Sequence, residues 1–228
     1  MKTHIGALVE LCKEQPFSTE KIQDYIFQNN MGREAVTRAA LALCDYGASS
    51  FRDYRSTHEK DPKPEELCTY NWEALFNMLL ANGLDAELVI CDDDHNYENI
   101  LDSIQFLDDG DLNARIARNI LQNHGSPNIM FKGEPLFCTI DGNLIIDIAM
   151  DLYSQKWMLD NVFRFWLVLV GFGGLMVGEK CPVNICHGYS TEIFKNFEKF
   201  DYRIIRNPGK EFDMEIFEKE TGVVVATV

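Results

Sequence analysis

The chain has 228 residues, 46% of them hydrophobic, and its 36 acidic and 21 basic residues give a formal net charge of −15. This composition is typical of a folded protein and not of a disordered one. Binding to a nucleic-acid backbone needs clustered Lys and Arg side chains, so the acidity argues against that partner. It favours a protein partner with a basic surface, although an acidic surface also keeps a protein soluble.

The sequence shows no targeting or membrane-spanning signal. The basic residue near its start is not followed by an uninterrupted apolar core and a small-residue cleavage site, so we predict no signal peptide. The longest apolar run, from Phe165 to Val177, is shorter than the roughly 20 residues that span a bilayer. Seven cysteines without framework spacing indicate free thiols in a reducing compartment. We therefore predict a cytoplasmic protein.

Helical spacing of apolar residues begins at the amino terminus. Residues 5–15 form the first predicted helix, and Ser18 is placed to cap a second helix that ends near Asn29. A third predicted helix, over residues 34–45, is closed by Gly47. The polar segment that follows, 49–66, has two prolines and no apolar periodicity, which predicts a long loop.

The next predicted elements are a helix at 72–81, a finger-like connection at 88–97 with an acidic tip, and a helical hairpin at 98–128. Asp111 is placed to cap the second arm of the hairpin and Gly125 to end it. Apolar residues at helical spacing give the two arms one buried face, made of Ile100, Leu101, Ile104, Leu107, Leu112, Ile116, Ala117, Ile120 and Leu121.

A single hairpin of about thirty residues cannot bury its apolar face alone, which predicts neighbours of the same kind. Four segments align on a closing glycine with a leucine four residues before it, and with further apolar residues five and eight before it. The glycines are Gly47, Gly83, Gly125 and Gly171, and the leucines are Leu43, Leu79, Leu121 and Leu167. The other stripe residues are Ala42, Met78, Ile120 and Trp166, then Ala39, Leu75, Ala117 and Phe163.

This pattern resembles the ankyrin repeat, which has a period of about 33 residues and a second helix that ends in glycine followed by a small residue, Asp and Asn. Gly125-Ser126-Pro127-Asn128 and Gly83-Leu84-Asp85 match that ending, and Gly133-Glu134-Pro135-Leu136-Phe137 is similar to the family's Thr-Pro-Leu-His helix start. The resemblance covers roughly residues 20–175, and no repeat carries the full motif. It implies a mainly α, ankyrin-like helical-hairpin solenoid that binds proteins.

The segments that follow depart from the repeat pattern. We predict a first helix at 135–153 and its partner at 161–170, after which the repeat signal ends. Ser190 is placed to cap another helix, and the alternation beyond it predicts three strands, in YRIIR, FDMEIFE and VVVATV. The sequence therefore predicts a repeat domain over residues 1–178 and a small α+β cap over 179–228, covering the apolar face of the last repeat.

The polar clusters are better explained by structure than by chemistry. The run Asp92-Asp93-Asp94-His95 invites a calcium loop, but Tyr97 stands where the EF-hand requires glycine and Ser103 where it requires glutamate. We predict a solvated loop tip there. Asp108-Asp109-Gly110-Asp111 is predicted to be a turn with a helix cap, since it lies between two amphipathic helices.

Known catalytic and zinc patterns are missing from the sequence. Cys181, Cys186 and His187 offer three ligands, but their spacing matches no common zinc site, and buried thiols explain them better. No G-x-S-x-G, G-x-x-x-x-G-K or H-E-x-x-H motif is present. We therefore predict that the protein is not an enzyme and needs no cofactor and no metal.

The predicted function is a protein-interaction scaffold or adaptor that holds a protein partner on the concave side of the stack. Connections and first helices line that side in an ankyrin-like fold, and aromatic and Arg side chains are the usual anchors of interfaces. The alternatives are an acidic, immunity-type inhibitor of a basic toxin or nuclease, and an enzyme that uses the carboxy-terminal segment. The candidate partner-binding residues are Phe51, Arg52, Tyr54, Asp92, Asp93, Asp94, His95, Tyr97, Met130, Phe131 and Lys132.

Overall fold

The protein is mainly α-helical with a small antiparallel β part. Its computed structural model describes residues 2–14, 16–57, 71–91, 97–104, 110–123, 125–131, 134–135, 156–174, 183–205 and 213–228. The chain divides into two compact units, Met1–Gly125 and Ser126–Val228. In the described part of the chain, no helix is both long enough and apolar enough to cross a membrane.

The first unit consists of helices joined by short connections and one small β-hairpin. The hairpin pairs Ile90 with Glu98 and Cys91 with Tyr97 in antiparallel register. The elements are α1 (Lys2–Lys13), α2 (Thr19–Gln28), α3 (Arg33–Thr57), α4 (Trp72–Ala81), β1 (Ile90–Cys91), β2 (Tyr97–Glu98), α5 (Ile100–Ile104) and α6 (Gly110–Gln122).

Helices of this unit pack in pairs and also on the corresponding helix of the next pair. Helix α1 packs on α2, α3 on α4, and α5 on α6. Across successive pairs, α1 packs on α3, α3 on α5, and α4 on α6. One row therefore contains α1, α3 and α5, and α4 and α6 lie side by side as their partners.

The predicted buried stripe is confirmed at nearly every position. Leu43, Leu79, Leu121 and Leu167 are buried, and Ala42 is the one stripe residue that is only half-buried. On the central hairpin, the predicted apolar face is buried wherever the structure describes it, and Leu107 lies outside the described residues. Helical spacing of apolar residues thus located the core correctly.

Four helices end in the same hydrogen-bonded turn, in which an amide donates to the carbonyl five residues earlier. The turn needs one residue in the left-handed region, and this is Asn30 at φ 46°, Gly83 at φ 104° and Gly173 at φ 83° in three of the helices. The bonds are Met31 N to Ile26 O (3.0 Å), Leu84 N to Leu79 O (2.9 Å), Gly125 N to Ile120 O (3.0 Å) and Gly174 N to Leu169 O (2.8 Å).

Of the four predicted closing glycines, only Gly83 takes the left-handed conformation, and Gly47 does not end a helix. Gly47 is buried inside α3, which continues to Thr57, so residues 49–57 are helical and not part of a loop. An isolated glycine costs a helix only about 1 kcal/mol, and no proline follows it before Pro62. Gly171 is the last residue of a helix in the second unit, and Gly173 takes the left-handed conformation instead.

Two predicted helix starts also differ from the structure. Helix α6 begins at Gly110, so Asp111 lies in its first turn and is not its cap. An acidic residue there still interacts favourably with the helix dipole. Glu134 and Pro135, predicted to open a helix, form a strand paired with Met130 and Phe131. The rest of that predicted helix, and the 178/179 boundary, lie outside the described residues.

The second unit combines a helix with a four-stranded antiparallel sheet in the order β5-β8-β7-β6. The three predicted carboxy-terminal strands are confirmed, and β5 was not predicted. Ser190 precedes the 3-10 segment, but its side chain makes no capping hydrogen bond. The elements are β3 (Met130–Phe131), β4 (Glu134–Pro135), α7 (Lys156–Gly171), β5 (Asn184–Ile185), the 3-10 segment Thr191–Lys199, β6 (Phe200–Ile205), β7 (Asp213–Glu218) and β8 (Val224–Thr227).

The core of this unit lies between α7, the 3-10 segment and one face of the sheet. Helix α7 packs on the 3-10 segment, and the Phe163 ring on α7 lies 4.7 Å from the Tyr202 ring on β6. Phe194 and Phe200 meet edge to face at 5.4 Å. These aromatic contacts join the helix to the sheet, and each buries a large apolar area.

Candidate partner-binding surface

The predicted partner-binding residues fall on different elements. Phe51, Arg52 and Tyr54 lie in the carboxy-terminal half of α3 and not in a loop. Tyr97 lies in β2, opposite Cys91. Met130 and Phe131 form β3 in the second unit. Asp92, Asp93, Asp94, His95 and Lys132 are outside the described residues.

Buried polar side chains fix the connection that leads into and out of the β1–β2 hairpin. The Asn99 side-chain amide donates to the carbonyl oxygens of Ala86 (2.9 Å) and Leu88 (3.0 Å), and its oxygen accepts from the Leu101 amide at 2.9 Å. Asn99 is fully buried, so these bonds offset the cost of removing its amide from water. These bonds therefore hold the two ends of the β1–β2 hairpin together at the start of α5.

A second polar contact attaches this connection to α3. The Thr37 hydroxyl donates to the Arg33 carbonyl at 2.9 Å and accepts from the Asp85 amide, also at 2.9 Å. Thr37 is fully buried. The sequence alone did not single out Thr37 or Asn99, because a polar residue within an apolar pattern does not show which distant backbone group it will meet.

An exposed aromatic residue lies where α1 meets α3. Tyr46 on α3 is 39% exposed, and the ammonium group of Lys13 on α1 lies 4.5 Å from the centre of its ring. Lys13 also forms an ion pair with Glu10 at 2.8 Å. A tyrosine held by a neighbouring cation presents a pre-positioned ring edge and hydroxyl group, which suits it as an anchor for a partner.

Two carboxylates act on the buried thiol of Cys44, which lies on α3 two residues before Tyr46. Burial raises the pKa of the Cys44 thiol well above its ordinary value, and the negative charges of Asp45 and Glu98 raise it further. Asp45 is exposed on α3 and Glu98 is half-buried on β2. Each of these two carboxylates therefore lies within electrostatic range of the Cys44 thiol.

We call Lys13, Asp45, Tyr46 and Glu98 the Tyr46 surface. Its residues come from α1, α3 and β2, three elements of the same unit, and it includes one exposed aromatic side chain and two carboxylates. Sequence analysis missed all four residues, because their elements are distant in the chain and the sequence does not show that Tyr46 is exposed.

The described residues contain no cluster of side chains that could hold a metal ion. Among them, no group of three or more His, Cys, Asp and Glu side chains converges. Cys186 is a free, half-buried cysteine and His187 is exposed, whereas Cys181 lies outside the described part.

The strongest titratable pair lies in the second unit and is structural. Tyr202 donates its hydroxyl hydrogen to Asp160 at 2.7 Å. Burial raises the pKa of Tyr202, and the hydrogen bond to Asp160 together with that carboxylate's charge raises it further. The hydrogen bond joins α7 to β6.

Comparisons with known proteins give no family for this chain. No protein-family model matches it, and neither curated proteins nor solved structures give a significant match. The ankyrin resemblance therefore depends on the residues quoted above.

Proposed function

We propose that this protein is a non-enzymatic, cytoplasmic interaction scaffold whose first unit binds a protein partner through the Tyr46 surface and the neighbouring β1–β2 tip. The observation that carries this proposal is the exposed Tyr46 ring held against the Lys13 ammonium group, with the carboxylates of Asp45 and Glu98 both within electrostatic range of nearby Cys44.

The order of helices in the first unit supports an ankyrin-like arrangement. Helix pairs separated by a β-hairpin, with like helices side by side, are the pattern that such repeats use. In that arrangement α1, α3 and α5 form the inner row. The predicted acidic residues Asp92, Asp93 and Asp94, which lie outside the described part of the chain, directly follow β1 in the sequence.

Charge defines the class of partner that this surface fits. With a net charge of −15, the whole chain attracts basic proteins at long range. Asp45 and Glu98 give the Tyr46 surface the same sign locally. Complementary charges mainly raise the association rate and orient the encounter, whereas a buried aromatic anchor lowers the dissociation rate. We therefore propose a partner with a basic patch around a pocket that receives Tyr46.

A quantitative capture experiment tests the proposal. The full chain is immobilised and exposed to extract of its native cells, and bound proteins are quantified for the wild type, for D45N/E98Q and for E20Q/D24N. Glu20 and Asp24 are exposed on α2, so the second variant loses the same charge at a different place. The proposal expects a basic protein that is lost with D45N/E98Q and retained with E20Q/D24N.

The contribution of the tip is measured with the captured partner. Replacing Asp92, Asp93 and Asp94 with Asn is expected to leave thermal stability nearly unchanged while lowering the association rate and its dependence on salt. Equal capture by all of these variants would remove the Tyr46 surface from the interface. The identity of the captured protein then separates a general scaffold from an inhibitor of a basic toxin or nuclease.

A further inference from the structure

The outer edge of β6 is the most regular open strand edge in the second unit. Strand β6 pairs with β7 over six residues without a shift in register, and it ends the strand order of the sheet. Within the residues that the structure describes, no strand pairs with its other side. The opposite edge is β5, which has only two residues.

Proteins usually protect a long edge with proline, a bulge or a short strand. The sequence of β6, Phe200–Ile205, contains no proline, and the only irregularity in the sheet lies between β7 and β8. In the described part of the chain, the edge of β6 is thus regular and unpaired, and only its charged side chains would oppose pairing. Those side chains are Asp201 and Arg203.

Hydrogen bonding fixes which groups of β6 face outward. The Lys219 amide donates to the Lys199 carbonyl at 2.8 Å, directly before the pair Phe200 and Glu218. Bonded and non-bonded pairs alternate in an antiparallel ladder. Asp201 and Arg203 therefore turn their backbone groups towards β7, and Tyr202 and Ile204 turn theirs towards the open edge.

The Tyr202 amide, the middle donor of the open edge, already has a side-chain acceptor. The Tyr202 amide donates to the carboxylate of Asp201 at 2.9 Å. Arg203 interacts with Glu215 of β7 at 2.6 Å and is 55% exposed. A guanidinium group has five N–H donors, so Arg203 can keep Glu215 and still bind a second carboxylate.

We propose that this edge pairs antiparallel with β6 of a second copy of the chain, in the register that places Tyr202 opposite Tyr202. In that register Asp201 of each copy faces Arg203 of the other, so two unlike pairs form at once. Each copy donates from Tyr202 and Ile204 and accepts at Tyr202 and Phe200. Asp201 releases its own strand's amide and turns to the arginine of the other copy.

The neighbouring registers are disfavoured by the same charges. Centring the pair on Asp201 places two carboxylates opposite each other, and centring it on Arg203 does so with two guanidinium groups. Parallel pairing in register also aligns like charges. Opposite charges directly across a sheet stabilise it and like charges destabilise it. The contact is isologous and closes at two copies, so it predicts a dimer and not a fibre.

Sedimentation velocity of the full chain, from about 1 to 200 µM, tests this pairing through four variants. The wild type is expected to dimerise as concentration rises. D201R and R203D each place like charges opposite each other and are expected to raise the dissociation constant about tenfold or more. D201R/R203D restores two unlike pairs and is expected to return it to within a few-fold of the wild type.

E215Q is the matched control, because it removes the contact between Arg203 and Glu215 without changing the edge, and the dimer is expected to persist. Far-UV circular dichroism verifies that each variant is folded. If a charge reversal does not fold, I204P replaces it, since proline removes an outward amide and no bond to β7. A wild type that is monomeric at every concentration overturns the proposal. The proposal also fails if both single charge reversals leave the dimer intact, or if the double variant does not restore it.

Discussion

The two units of the protein are stabilised in different ways. In the first unit, each helix pair contacts the pair before or after it, and single polar links such as Thr37 with Asp85 and Glu73 with Arg115 join neighbouring pairs. In the second unit, the aromatic side chains of α7, the 3-10 segment and the sheet share one core. The first unit is modular, so a substitution there is expected to have a local effect. A substitution in the core of the second unit is expected to disturb the packing of the whole core.

Glycine shows this difference most clearly. Gly83 in the first unit is needed for its left-handed conformation, because an added Cβ would find Arg33 Cγ only at 4.0 Å. Gly171 in the second unit is needed for close packing, because an added Cβ would lie 2.6 Å from the Lys195 backbone nitrogen. The same residue type thus meets a conformational requirement in one unit and a packing requirement in the other.

Gly171→Ala is expected to have the largest effect on stability. The new methyl group must push the 3-10 segment away from α7, because backbone atoms cannot move aside as a flexible side chain does. We expect a loss of about 3 kcal/mol in the free energy of unfolding, measured with urea. Gly6→Ala in α1 is the control: its Cβ meets nothing within 4 Å, and it is expected to add about 0.5 kcal/mol. Equal stability of G171A and wild type would contradict the close contact.

Gly83→Ala is expected to cost less, about 1 to 2 kcal/mol, because only the left-handed conformation penalises the methyl group. Gly83→Asn should cost clearly less than the alanine variant, since asparagine tolerates this conformation and already occupies it at Asn30. Urea unfolding of the two variants provides the test. An alanine variant as stable as the asparagine variant would show that conformation does not limit this position.

The link between α4 and α6 is expected to have a smaller effect. Arg115 Nε lies 3.0 Å from Glu73, and the Asn119 side chain donates to the same carboxylate at 3.3 Å. Both charged side chains are more than a third exposed, so solvent screens the pair. A double-mutant cycle with Glu73→Gln and Arg115→Met is expected to give a coupling of about 0.5 kcal/mol that falls with added salt. A coupling of zero at low salt would make the contact incidental.

A change with no expected effect at neutral pH concerns the buried thiol of α1. Burial raises the pKa of Cys12 from its ordinary value of 9.0 to about 12. The unfolded chain therefore loses this proton at a lower pH than the folded chain, and stability falls as pH rises from 9 towards 12. Cys12→Ala should flatten that decline in urea titrations at several pH values. An unchanged pH dependence would remove Cys12 as its source.

Thiol alkylation at neutral pH compares the burial of cysteines in the two units. Cys12 and Cys44 are buried, whereas Cys91 and Cys186 are half-buried. We expect iodoacetamide to label Cys91 and Cys186 before Cys12 and Cys44, as followed by mass spectrometry of peptides, because a buried neutral thiol is a poor nucleophile. Faster labelling of Cys12 would indicate that α1 detaches from α3.

How far the sequence predicted the structure depended on how local each feature is. The buried leucines followed from helical spacing, and the carboxy-terminal strands from alternation, because both patterns are properties of a single segment. The glycine endings did not follow, because Gly47, Gly83 and Gly171 look alike until their neighbours in space are known. The Tyr46 surface could not be predicted either, since Lys13, Tyr46 and Glu98 come from elements that are distant in the chain.

The most direct test of the central claim, that the first unit carries the partner surface, is site-specific photo-crosslinking from one tyrosine in each unit. A photoreactive phenylalanine analogue replaces Tyr46, which is 39% exposed, or Tyr189 in the second unit, which is 42% exposed. The full chain is then irradiated in native extract. We expect a discrete crosslinked protein from position 46 and none from position 189. Capture of the same protein only from position 189 would contradict the account.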